Sequence, residues 1–280
     1  MPSRLAVAAN LLKGLALLAG LCALFGALGW VVGGYRLLLL FGAAAFLFGA
    51  TLYWYGDRFV LGMLGAKELP LARAPALYSR LDSLSARAGV PRPRLYLLGD
   101  GHPRAFAVGR GPGGATVAVS EGLLAAAPPA ELDGVLAHEL AHVRSRDVLV
   151  QTVAVVLAAT LVELSRIGGW LERALLFVLG PVASAFVHLL LSPRREFAAD
   201  RAAAAICESP HGLADALLRL EQATELVDFR ASPATEPLYT INPFDERGLA
   251  ALFDTHPALG ERVGRLRSLD PDWREKLRAA

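Results

Sequence analysis

Two histidines four residues apart enclose a glutamate in the run His138-Glu139-Leu140-Ala141-His142. On a helix this spacing puts both imidazoles on one face, ~6 Å apart along the axis. Two ligands of one tetrahedral zinc need that geometry, and the glutamate between them stays free to handle a water. Such a site wants a third protein ligand and one open position. Glu196 and Asp200, in Glu196-Phe197-Ala198-Ala199-Asp200, are again four apart and share a helix face. One of the two carboxylates can bind metal while the other accepts a hydrogen bond from a ligand imidazole and fixes its tautomer. The plainer alternative is a solvated helix face with Arg194 and Arg195 as ion partners.

The elements that must position these groups are unusually apolar. The 280 residues are 54% hydrophobic, with 27 glycines besides, and the mean hydropathy is +0.43. That excess over a soluble chain is gathered into blocks, as in membrane proteins. One run covers Leu5 to Val32 and a second Leu37 to Tyr55, ending in the interfacial aromatics Tyr53-Trp54-Tyr55. Gly33-Gly34-Tyr35-Arg36 leaves room only for a turn, which predicts a transmembrane hairpin over 1–55. A signal peptide fits less well, because the apolar stretch is too long and no cleavage site follows it. A third run, Val148–Leu164, follows the histidine motif directly, and a fourth spans Leu175–Leu191, with Arg166, Glu172 and Arg173 between them.

Four spans put 56–147 and 192–280 on one side of the membrane, so both can contribute to one site. Arg4, Arg58, Lys67, Arg194 and Arg195 flank that side, against Arg36, Arg166 and Arg173 opposite. The positive-inside rule therefore places the soluble parts and both termini in the cytoplasm. The net charge of +2, without a basic tract, gives no support for nucleic-acid binding. Cys22 and Cys207 are far apart and read as unpaired thiols.

Within 56–147, Leu71–Ala88 has the pattern of an amphipathic helix, stopped by Pro91 and Pro93. Arg94–Leu98, Ala105–Val108 and Thr116–Val119 read as short strands. Gly109-Arg110-Gly111-Pro112-Gly113-Gly114 matches a dinucleotide fingerprint in form, yet it joins two strands instead of opening a helix, so it reads as a turn. Pro128-Pro129-Ala130-Glu131 starts the helix that carries the histidines, which the pattern extends toward the third span. Beyond 192 the chain is helical in pattern, except for a proline-bearing loop from Arg230 to Arg247. His188 reads as a span residue bonded within the bundle, and His102 and His211 as loop and helix-start residues.

The motifs carry a family resemblance. The His138–His142 pentapeptide, Pro193-Arg194-Arg195-Glu196-Phe197-Ala198-Ala199-Asp200 and Leu252-Phe253-Asp254-Thr255-His256-Pro257 stand in the order found in the M48 family of membrane zinc metallopeptidases. Ala105-Phe106-Ala107-Val108-Gly109 and Val117-Ala118-Val119-Ser120-Glu121-Gly122-Leu123-Leu124 resemble that family's upstream block. The chain is most similar to the branch of HtpX heat-shock proteases, over nearly its whole length.

This resemblance implies a mainly α integral membrane protein with four transmembrane helices and a zincin-like (gluzincin) α+β catalytic domain bearing a small sheet. It implies one zinc ion bound by His138, His142 and Glu196, with Glu139 as the base. His256 is then a candidate transition-state donor, and Asp200 and Arg262 organise the surroundings. The segment Arg104-Ala105-Phe106-Ala107 would hold substrate. Arg104 departs from the family's asparagine, which puts substrate preference and rate in question more than the metal site. The implied activity is endoproteolysis of membrane or membrane-proximal polypeptides at a bacterial inner membrane, in protein quality control. Two alternatives compete. A site-2-type intramembrane protease would need an aspartate inside a span, and none is present. A non-catalytic scaffold would not need Glu139.

Overall fold

The computed structural model describes residues 4–164, 169, 193–226, 257–270 and 272. The fourth apolar run with His188, its connection with Arg166, Glu172 and Arg173, the loop Arg230–Arg247 and His256 lie outside the described residues.

Helix α1 (Arg4–Met63) is broken at Gly33 and Gly34, the latter at φ +67°. Only glycine takes that conformation without strain, and the chain doubles back there: a Cβ built on Gly29 would lie 2.2 Å from the carbonyl oxygen of Leu37. The break coincides with the turn expected from sequence, although Tyr35 and Arg36 are already helical. Among the described residues one helix, Cys22–Met63, is long and apolar enough to cross a membrane, and its apolar surface is almost wholly uncovered. Four transmembrane helices are thus not all visible among the described residues. The second arm runs eight residues past the expected end at Tyr55. Its extension buries Val60 and Leu61 inside the protein.

A four-stranded mixed sheet follows, built from β1 (Lys67–Glu68), β2 (Arg94–Leu98), β3 (Ala105–Gly109) and β4 (Ala115–Ser120). The spatial order is β1-β2-β4-β3; β2 and β4 are parallel and the other pairs antiparallel. Helix α2 (Pro75–Ala88) crosses between β1 and β2. It starts four residues later than its apolar pattern, because Pro75 suits the first helical turn and Leu71–Arg73 forms a separate 3₁₀ turn. The glycine-rich stretch is the β3–β4 connection, as its position between strands predicts, and its Arg110 lies 4.3 Å over the ring of Trp54.

Period-two alternation sorts the sheet's side chains between two cores. Ala105, Ala107, Val117 and Val119 join Leu81, Leu136, Leu140 and Leu217 on one face. Phe106, Val108 and Ala118 pack on the other against Val60, Leu61, Val155 and Val156. The sheet therefore sits between a helical layer and the ends of the apolar helices.

The helical layer contains α3 (Glu121–Ala126), α4 (Pro129–Ser145), α6 (Pro193–Cys207), α7 (His211–Leu226) and α8 (Leu259–Arg267), whereas α5 (Asp147–Leu164) packs with α1 on the sheet's other face. Helix α4 is packed by α6, α7, α2 and β3. Gly134 makes its crossing with α7 possible, since a Cβ there would meet the Leu213 backbone at 2.5 Å. The α4 helix does not flow smoothly into the third apolar run: Arg146, at φ +64°, ends it and the chain restarts as α5 at Asp147.

Candidate metal centre

Helix α4 presents His138 and His142 one turn apart, with ring centroids 4.7 Å apart and planes nearly perpendicular. Helix α6 brings Glu196 in its first turn against both rings. The Nε2 atoms of the histidines are 3.2 Å apart. Glu196 Oε2 lies 3.4 Å from His138 Nε2 and Oε1 lies 3.5 Å from His142 Nε2. Bonds of ~2.0–2.1 Å to a tetrahedral zinc set its ligand atoms about 3.4 Å from one another, so the donor set fits that ion. These three residues form the candidate metal-binding group found among the described residues. All are buried, as is Glu139 beside them.

Each histidine is backed by a carboxylate. His138 Nδ1 faces Asp200 Oδ1 at 3.0 Å. Asp200 in turn accepts two hydrogen bonds from Arg262, from Nε at 2.9 Å and Nη2 at 2.7 Å. Arg262 is only 1% exposed, and it reaches α6 because α8 lies across it. Burial pushes the Asp200 carboxyl up, but the hydrogen bonds from Arg262 and His138 outweigh that and hold it below its usual range. On the other side, His142 Nδ1 lies 3.3 Å from Asp147 Oδ2, which also accepts the Ser145 hydroxyl at 2.6 Å.

The charges follow from this crowding. Burial disfavours a cation at His142, yet Glu196 and the hydrogen bond to Asp147 prevail and push it up to about 10. His138 also moves up: burial lowers it, and Asp200 and Glu196 more than compensate. Burial raises the Glu139 carboxyl, against the opposing pull of the two histidines, and the backbone amide of Ala107 hydrogen-bonds to it. A carboxylate raised in this way is a better proton acceptor for water.

The structure thus brings together His138, Glu139, His142, Glu196, Asp200 and Arg262, all singled out in the sequence. It places Ala105–Ala107 on β3, an edge strand whose Ala107 meets Glu139. The guanidinium of Arg104 is paired with the Asp100 carboxylate, and its side chain is 10% exposed. His256 is outside the described residues. Asp147, Ser145 and Arg195 were not assigned to the site from sequence. The one available signal was an aspartate five residues after the second histidine, and no helical spacing brings i+5 onto the same face.

Residues 71–270 match the family model "Peptidase family M48". The chain is 40% identical over 273 residues to a "Protease HtpX homolog" of Syntrophobacter fumaroxidans, covering 90% of this chain and 97% of that protein. It is 37% identical to one from Pyrococcus abyssi, covering 90% and 93%. It also resembles the crystal structure of S. mikatae Ste24p, with a TM-score of 0.53 and 17% identity over 93% of this chain and 66% of that one, a likeness of fold. With its motif helix, carboxylate helix and mixed sheet arranged as described, the chain belongs to peptidase family M48 and is a metalloprotease.

Proposed function

We propose that the protein is a membrane-embedded zinc endopeptidase acting on membrane or membrane-proximal polypeptides, with His138, His142 and Glu196 holding one zinc ion. The observation that carries this reading is the set of three donor atoms 3.2–3.5 Å apart beside a buried Glu139. The proposed division is a transmembrane hairpin over 1–55, a first catalytic part over 56–147, two further spans within 148–191 and a second catalytic part over 192–280. The broken, uncovered helix α1 supports the hairpin and the apolar α5 a third span, and the fourth rests on the apolar run Leu175–Leu191. The basic residues flanking them support a catalytic domain and termini in the cytoplasm, at a bacterial inner membrane. A role in protein quality control is proposed on the resemblance to the HtpX heat-shock protease branch alone.

Zinc bound there supplies a Lewis acid that polarises the scissile carbonyl and lowers the pKa of water. Glu139 accepts the proton of the attacking water as its oxygen bonds to the carbonyl carbon and the carbonyl electron pair moves to oxygen. When the carbon–nitrogen bond breaks, Glu139 hands that proton to the leaving amine. Asp200 and Asp147 accept hydrogen bonds from the Nδ1–H groups of His138 and His142, which leaves both Nε2 lone pairs for the metal. Arg262 holds Asp200 in place. Ala105–Ala107 is the proposed substrate strand, added to by an extended polypeptide. His256 is the proposed transition-state donor.

Casein cleavage by detergent-purified protein tests the activity. The expected result is chelator-sensitive cleavage that Glu139→Gln abolishes; undiminished cleavage by that variant would overturn the mechanism.

A further inference from the structure

Two guanidiniums, Arg195 and Arg262, lie against Glu196 in the described part of the centre, with Arg104 on the segment before β3, and they are used differently. Arg262 spends its fork on Asp200, and Arg104 is paired with Asp100. Arg195, next to the proposed ligand Glu196, is not committed in this way. Its side chain is 11% exposed and its Nη2 sits 3.6 Å from Glu196 Oε1, outside hydrogen-bond reach. Its charge acts on Asp147 as well. The Nε and Nη1 groups are buried and have no hydrogen-bond partner among the described residues.

Two physical costs attach to this placement. Buried N–H donors left unpaired are destabilising, the more so on a cation. Arg195 also lies in the first turn of α6, where the helix dipole disfavours positive charge. Counter-charge for Glu196 and Asp147 explains why a cation is tolerated there. It does not explain two unspent donors beside the reacting centre, and buried orphan donors point to a partner that arrives later. The acceptor that such a centre receives is a carbonyl oxygen of the bound polypeptide.

We infer that Arg195 is a substrate-binding residue whose unpaired Nη1, at the outer end of the guanidinium, donates to the scissile carbonyl oxygen and holds it more strongly as it becomes the tetrahedral oxyanion. The inference rests on the protease reading above. A guanidinium, charged at any working pH and only weakly hydrated, suits that task better than a lysine ammonium. The charge need not be created during the reaction, so the donors are already in place when the oxyanion forms.

The test uses the full-length protein in detergent, with Arg195→Gln, Arg195→Lys and, as a control at an exposed neighbour, Arg194→Gln. Zinc content, Tm, peptide cleavage and the affinity of a phosphonamidate peptide mimicking the tetrahedral state are measured together. The expected outcome for Arg195→Gln is unchanged zinc stoichiometry with kcat/KM reduced about 10²-fold. Phosphonamidate affinity should fall in proportion, while the KM of the matching cleavable peptide rises much less. Arg195→Lys should restore part of both losses, and Arg194→Gln should change neither. If Arg195→Gln does not fold, the lysine variant decides alone: phosphonamidate affinity equal to wild type overturns the assignment. So does loss of zinc in step with activity, which is the signature of a counter-charge only. Glu139→Gln, run alongside, separates the two levels. If Glu139 is essential and Arg195 is not, this inference falls by itself; if Glu139 is dispensable, the protease reading falls with it.

Discussion

The two histidines of the centre are supported in opposite ways. Behind His138 stand Asp200 and Arg262, drawn from α6 and α8, 62 and 124 residues away along the chain, and joined by a two-bonded guanidinium–carboxylate pair. Behind His142 stand Asp147 and Ser145, from the next turn of chain, at a longer 3.3 Å to the ring. The first support depends on the whole helical layer being assembled. The second depends on one backbone reversal at Arg146. One histidine is therefore oriented by tertiary structure and the other by local geometry.

Asp200→Ala is the strongest way to break this contrast. It takes from the buried Arg262 its two-bonded partner and leaves the Glu196 carboxylate at 3.8 Å, so an unfolding loss of about 3 kcal/mol is expected, with metal affinity down towards 100-fold. Denaturant titration and competition with a zinc chelator read the two effects. Asp147→Asn keeps the shape of the local prop and removes one of two counter-charges of Arg195, so about 10-fold in metal affinity and a smaller stability loss than in Asp200→Ala are expected. Equal losses in the two variants would erase the distinction.

Removal of the metal sharpens the comparison in another way. With His142 raised from 6.5 to about 10, and His138 raised as well, both carry more proton in the folded metal-free protein than in the unfolded chain. Their contribution to stability is full below pH ~6.5 and is lost as pH rises through the folded value. Chelator-treated protein should therefore show a falling Tm between about pH 6.5 and 10; a flat or rising Tm in that window contradicts the charge assignment. The smallest effect is expected from Ser145→Ala, under about 1.5 kcal/mol by thermal unfolding, since it deletes one neutral donor to Asp147.

The same contrast explains what the sequence made legible. The pentapeptide and the two carboxylates of α6 repeat at i, i+4, so their shared faces can be read from spacing alone. The strands were visible because Arg94–Leu98 and the segments around Phe106 and Val117 are short apolar runs between turn residues. Strand β1, two residues long, carries no pattern. The parallel pairing of β2 with β4 is a long-range choice that no local signal encodes. Asp147 was hidden because α4 and α5 read as one continuous pattern, and only the left-handed backbone of Arg146 swings the aspartate under His142. Arg195 looked like a surface partner because its neighbour Arg194 is one. Burial by elements distant in sequence separates the two.

The central claim is that α4 and α6 together hold one zinc ion through His138, His142 and Glu196. Metal analysis of the purified protein beside Glu196→Ala tests it most directly. The account predicts one zinc per chain in the wild type and its loss in a variant that still folds. Stoichiometric zinc retained by Glu196→Ala would contradict it.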